Sequence, residues 1–262
     1  MNIIVCVRQT PDTEARIQIG GDGRSIATEG IKYVLGPYDE YSHEAAVQIK
    51  EKLGGTVTAI SFGPERVKET LRQCLAVGAD KAVHVDSTGI DEDDSLAIAT
   101  ALAGAIKQMA YDIIFTSNKG VDSDRGQVGA QLAELLGIPY VGPVSEIEIE
   151  EGGKSALVAR DIEGGREKLR VQLPAVISGQ KGLREPRYAS LMNIMQAKKK
   201  PIETRTLAEL GLLDEVRAAV KVHVERMEYP PPRPPGRIIE GATVQEKVRE
   251  LVRLLREEAK VL

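Results

Sequence analysis

Strand and helix signals alternate through the first 140 residues of this chain, and that alternation leaves few folds open. Residues 2–8, opening with Asn2-Ile3-Ile4-Val5-Cys6-Val7, read as a strand with no polar face. A long loop follows. Residues 39–53 then have helical spacing, with Tyr41, Ala45, Ala46 and Ile49 on one side. Residues 56–62 give a second strand, and Pro64 stands just inside the next helix start, where proline is favoured; that helix ends near Gly78. Residues 82–85 are a third, short strand. The acidic run Asp91-Glu92-Asp93-Asp94-Ser95 suits the positive end of a helix reaching about Met109. Residues 112–117 form a fourth strand and residues 127–136 a further helix. Strands this continuously apolar, joined by helices, imply a parallel sheet covered on both faces.

From Val144 the character changes. Residues 144–150, 156–161, 168–173 and 175–178 alternate in period two around the turns Gly152-Gly153 and Gly164-Gly165, which predicts a meander packed at the sheet edge. Residues 188–203 carry a short helix-like segment ending in Lys198-Lys199-Lys200-Pro201. The run Tyr229-Pro230-Pro231-Pro232-Arg233-Pro234-Pro235 predicts an extended, stiff connector. Beyond it, Thr243 is placed to cap a helix on which Val244, Val248, Leu251 and Leu255 form an apolar stripe. A lone amphipathic helix after a rigid linker needs a surface to pack on, and another chain is the expected one. The organisation expected is one α/β domain over residues 1–225, followed by a linker and arm helix over 226–262.

Ligands of open α/β sheets bind at the carboxyl ends of the strands. The polar loops there are residues 7–13, with Cys6 and Val7 at the strand end and Pro11, Asp12 and Thr13 beyond; Gly36-Pro37-Tyr38-Asp39; Ser61-Phe62-Gly63-Pro64, of which Phe62 and Gly63 are the site candidates; and Ser117-Asn118-Lys119-Gly120-Val121-Asp122-Ser123-Asp124-Arg125-Gly126-Gln127-Val128-Gly129. The last loop, leading from a strand into a helix, has the form of a phosphate site, where backbone N–H groups and the helix dipole converge. Asp122 and Asp124 serve either as helix caps or as acceptors for ribose or adenine. The first loop also reads as an ordinary turn, and Gly63-Pro64 as a helix start.

Other chemistries find little support. Residues 9–13 after the first strand contain no GxGxxG, and the chain has neither a Walker A run nor a nucleophile elbow, so no catalytic residues are assigned. A rival adenylating or ATP-hydrolysing enzyme needs a Gly/Ser loop after that strand. A stand-alone nucleotide-binding stress protein has no use for the Pro-rich connector. Two cysteines without CxxC spacing and three histidines without ligand spacing argue against a disulfide framework or a metal site, and for the cytoplasm. A net charge of −4, no Trp and two Phe argue against nucleic acid. No apolar run approaches the roughly 20 residues of a membrane span, and the immediate opening strand leaves no signal peptide.

Two further motifs carry a resemblance. Val158-Ala159-Arg160-Asp161-Ile162-Glu163-Gly164-Gly165, followed by Glu167, Leu169 and Pro174-Ala175-Val176-Ile177, is similar to the signature region of the small (beta) subunit of electron transfer flavoproteins. The run from Leu183-Arg184-Glu185-Pro186-Arg187-Tyr188 through Leu191, Met192 and Ile194 to Lys198, Lys199 and Lys200 resembles that family's recognition loop. The resemblance covers essentially the whole chain. It implies an adenine nucleotide alpha hydrolase-like α/β sandwich, serving as an electron carrier subunit in a heterodimer with a large (alpha) subunit that holds redox-active FAD. Leu191, Met192, Ile194 and the three lysines would meet an acyl-CoA-type or other dehydrogenase, an apolar anchor with a charged rim; read without the resemblance, Leu191 also suits plain core. The small subunit's own nucleotide is FAD in the electron-bifurcating type and AMP in the respiratory type. Residues 7–13, 36–41 and 122–129 look like the bifurcating pattern, and Val128 stands where AMP-binding relatives usually have a phosphate-binding Thr. Gly36 in place of a usual Asn, and the segment from Leu191 to Lys200, lean the other way. FAD is the expectation, with AMP the alternative.

Overall fold

The computed structural model describes residues 1–90, 94–233 and 235–262. Asp91, Glu92 and Asp93 of the acidic run, and Pro234 of the connector, lie outside the described residues. The chain divides into two compact units, Met1–Met227 and Glu228–Leu262.

The first unit is built on a seven-stranded sheet. In chain order its elements are β1 (Asn2–Cys6), β2 (Gln9–Pro11), β3 (Tyr33–Leu35), α1 (Pro37–Leu53), β4 (Thr56–Gly63), α2 (Val67–Val77), β5 (Lys81–Asp86), α3 (Ser95–Ile106), β6 (Ile113–Ser117), α4 (Val128–Leu136), β7 (Tyr140–Val144), β8 (Glu146–Ile149), β9 (Ser155–Ile162), β10 (Gly165–Gln172), β11 (Ala175–Gly179), α5 (Leu191–Lys199), β12 (Glu203–Thr206) and α6 (Leu213–Ala219). The sheet order is β12-β5-β4-β1-β6-β11-β7, and every pairing in it is parallel. Successive residues of the central strands enter opposite cores, as a period-two strand covered on both faces requires. Ile3, Val5, Ile113, Phe115, Ala175 and Ile177 pack with α1 and α2 on one side. Ile4, Cys6, Ile114 and Val176 pack with α3 and α4 on the other.

Several elements differ from the sequence expectations. The meander is three-stranded, β10-β9-β8, and residues 175–178 do not belong to it. They form β11, buried along its whole length between β6 and β7. The run Ala-Val-Ile there is the signature of a strand covered on both faces, not of an alternating one. The loop after β1 contains the antiparallel hairpin β2-β3, and β12 adds a parallel edge strand beside β5. Pro64 lies ahead of α2, its carbonyl accepting from Val67 N at 3.0 Å. Asp94, at the end of the acidic run, caps α3 by accepting from Leu96 N at 2.7 Å.

The second unit holds α7 (Val244–Glu257), closed at its start by a capping box. Thr243 Oγ1 accepts from Glu246 N at 3.2 Å, and the Glu246 carboxylate accepts from Thr243 N at 3.3 Å. Val244, Val248 and Leu251 are exposed, Leu255 is half-buried, and Leu254 is buried.

Candidate nucleotide-binding edge

The strand order locates a site before any side chain is considered. From β1 the chain runs outward to β4 and β5, then returns to lay β6 on the opposite side of β1. The carboxyl ends of β1 and β6 therefore flank the topological switch point, where the connecting loops diverge and leave a crevice.

Arg8, the first residue after Val7, ties together the loops that meet there. Its Nη2 pairs with Asp122 Oδ2 at 2.7 Å, and its Nη1 donates to Ser123 Oγ at 3.1 Å. Its backbone N donates to Asp39 Oδ2 at 3.2 Å, and its carbonyl accepts from Gly36 N at 2.9 Å. Next to it, Gln9 Nε2 donates to the Arg66 carbonyl just ahead of α2, at 3.1 Å. The loop after β6 is fixed by Asn118 N donating to the Gly179 carbonyl at 2.8 Å, and by Lys119 Nζ pairing with Asp124 Oδ1 at 2.7 Å.

Two glycines are required by these contacts. A Cβ on Gly36 would overlap the Asp39 carboxylate. A Cβ on Gly120 would stand 2.5 Å from Asp122 Oδ1 and 2.9 Å from Arg8 Nη1, forcing the ion pair apart.

Asp39 is the buried charge of the site. Burial lifts its carboxyl to about 7, against the Ser117 hydroxyl, the Arg8 N–H and the Arg8 charge, which favour the anion; Asp122 adds to the rise. Burial also pushes the Cys6 thiol up. Cys6 and Cys74 are free and buried.

The other residues expected here fall into four groups. Pro37, Tyr38, Gly126 and Gln127 sit at the starts of α1 and α4, and Val128 opens α4 with its side chain against the core. Val121 and Arg125 are exposed in the loop. Phe62 and Gly63 end β4, where the Gly63 carbonyl meets His84 Nε2 at 2.7 Å, and a Cβ on Gly63 would press on Val67. Pro11, Asp12 and Thr13 belong to the β2-β3 hairpin region. Both Asp12 oxygens are used locally, by Glu14 N at 3.1 Å and Lys32 Nζ at 3.0 Å.

Gly129 is required by packing: its Cβ would lie 2.5 Å from Ser178 Oγ and 2.6 Å from Thr116 Oγ1, so the glycine lets α4 approach the sheet. Thr10 and Ser61 fall within two of the expected loops but were given no role of their own. Both are buried, with hydroxyl oxygens that have no hydrogen-bond partner among the described residues. The sign available for Arg8 was its position, a cation directly after the first strand of a chain whose later loop carries Asp122 and Asp124.

The start of α4 fits a phosphate group, as an adenine nucleotide would bring. No side chain caps α4, and its first turn holds no acidic residue, so its leading N–H groups are free to meet a phosphate.

A second surface lies on α5. Ser190 caps it, its Oγ accepting from Asn193 N at 3.2 Å. Leu191 is 83% exposed, Met192 70% and Met195 65%, with Ile194 also exposed. Lys198 and Lys199 are exposed, whereas Lys200 turns inward and donates to the Ala79 carbonyl at 3.0 Å.

A family model described as "Electron transfer flavoprotein domain" matches residues 24–210. The electron transfer flavoprotein subunit beta of Bacillus subtilis is 41% identical over 100% of both chains. The chain belongs to the electron transfer flavoprotein beta-subunit family. The same beta subunit of Homo sapiens is 35% identical over 96% of each chain. The subunit CarD of the caffeyl-CoA reductase-Etf complex of Acetobacterium woodii is 36% identical over 98% of each. In this beta subunit no helix among the described residues is long and apolar enough to cross a membrane.

Proposed function

We propose that this chain pairs with an electron transfer flavoprotein alpha subunit, carries electrons between a dehydrogenase and an acceptor, and holds FAD of its own at the β1–β6 edge. The observation that carries the reading is the uncapped N-terminus of α4, placed at the switch point and approached by a loop fastened through Arg8. The N–H groups of Gly126, Gln127 and Val128 would bind the pyrophosphate, and the hydroxyls of Thr10 in β2 and Ser61 near the end of β4 are buried with no hydrogen-bond partner among the described residues. The bound flavin supplies the one- and two-electron chemistry; the protein orients it and sets the electrostatics around it. Asp39, buried and titrating at about 7, sets the charge beneath the loop near neutral pH.

AMP, with FAD confined to the alpha subunit, is the second reading. The exposed Leu191 surface favours it, because that segment looks like the respiratory type. Val128 weighs against it, offering no hydroxyl to a monophosphate. Denaturing the purified heterodimer and separating the released nucleotides decides between the two. Two equivalents of FAD are expected. One FAD with one AMP would replace the FAD assignment by AMP, and FAD alone at one equivalent would remove the site.

A further inference from the structure

The segment carrying α5 rests on α2 through Ala197 and is held by polar contacts at its two ends. Of its nine residues only Ala197 is buried. Beneath the segment, against α1 and α2, runs a cleft of about 670 Å³ lined by Tyr41, His43, Ala76, Pro186, Ala189 and Ile194, among others. At the C-terminal end of the helix, Arg72 Nη1 donates to the carbonyls of Ala197, Lys198 and Lys200 at 2.8, 3.1 and 3.2 Å. At the other end, Arg187 grips two carboxylates of α1. Its Nε and Nη2 meet Glu44 at 2.9 and 2.8 Å, and its Nη1 and Nη2 meet Glu51 at 2.6 and 2.8 Å. The Glu44 side chain is 2% exposed, so its partner is not readily replaced by water. Three residues further along stand Ser190 and then Leu191, directed into solvent.

We propose that Arg187 is a positioning residue for partner docking: its fork between Glu44 and Glu51 fixes the entry to α5 and so presents Leu191 and Met192 in the conformation that a partner dehydrogenase binds. This rests on the reading that the Leu191 surface meets a dehydrogenase. Without the fork the segment samples other positions above the cleft, and apparent affinity falls by the fraction of time spent in the competent one.

The test uses the intact heterodimer, with butyryl-CoA dehydrogenase reduced by butyryl-CoA as electron donor and hydrogen exchange over residues 188–199 as a second readout. Arg187→Gln is expected to raise KM for the donor about tenfold if the competent fraction drops to about a tenth, with kcat and bound flavin at wild-type values. Arg187→Lys should fall between, since a point-charge ammonium cannot span two carboxylates as a planar fork does. Glu51→Gln leaves the buried Glu44 paired, so it remains informative if Arg187→Gln folds poorly; about a two- to threefold rise is expected. Exchange over 188–199 should quicken in the same order. Wild-type KM in these variants beside a raised KM in Leu191→Ala would overturn the clamp and leave the docking surface standing. Wild-type KM in Leu191→Ala would overturn the docking surface, and the clamp's role with it.

Discussion

At the scale of single residues, Asp39 has the most measurable consequence. Its carboxyl is lifted from 3.8 to about 7, chiefly by burial. Between those values the folded chain keeps a proton that the unfolded chain has released, so this residue's contribution to stability falls as pH rises through that window. Asp39→Asn removes the effect. The urea midpoint of the variant, relative to wild type, should therefore climb between about pH 4 and pH 7 and level off above that, once the native carboxyl has ionised. A difference that stays flat across that range would contradict a buried carboxyl. The run Gly36-Pro37-Tyr38-Asp39 marked Asp39 as a site residue, but its burial was not legible. That burial depends on Arg8 and Ser117, which the fold delivers from other strand ends. Arg8 was equally hidden, because an ion pair across a long sequence separation leaves no local pattern.

At the scale of elements, α4 and β6 make the corner proposed to bind phosphate, and their spacing depends on Gly129. The Thr116 and Ser178 hydroxyls, 2.6 Å apart, occupy the space that a methyl group would need. Gly129→Ala should therefore destabilise the fold by about 1–3 kcal/mol through overpacking, seen as a lower thermal midpoint even in nucleotide-free protein. Loss of nucleotide at unchanged stability would contradict this packing role. Gly126 is the contrasting case, with φ at +62° in the left-handed region that favours glycine. The alternation of strands and helices in the first 140 residues was legible because each element has its own hydrophobic period. The strand at 175–178 was misplaced for the opposite reason. Its apolar run follows an alternating meander, and only the pairing of β11 with β6 and β7 reveals it as central. The short pairs β2-β3 and β12-β5 owe their strand state to neighbours rather than to pattern.

At the scale of the whole molecule, the question is what covers the exposed apolar residues of α7. Val244, Val248 and Leu251 are 73%, 52% and 44% exposed, on a helix whose capping box holds it helical. We expect the alpha subunit to cover them. Val248→Asp with Leu251→Asp should then abolish the 1:1 complex in size-exclusion chromatography while the far-ultraviolet circular dichroism of the chain stays that of the α/β unit. A full-sized complex from the double variant would place the alpha-subunit contact elsewhere. The helix Val244–Glu257 was legible from the Thr243 cap and the apolar stripe.

The central claim is that the uncapped start of α4 and the loop before it hold an adenine nucleotide, and hydrogen exchange tests it most directly. Flavin-depleted heterodimer is measured with and without added FAD. The account predicts slower exchange at the backbone amides of residues 124–131 and 8–10 when FAD returns, because the leading N–H groups of α4 gain a phosphate acceptor and the loop fastened by Arg8 closes over it. Unchanged exchange at both segments, with protection confined to the alpha subunit, would contradict it.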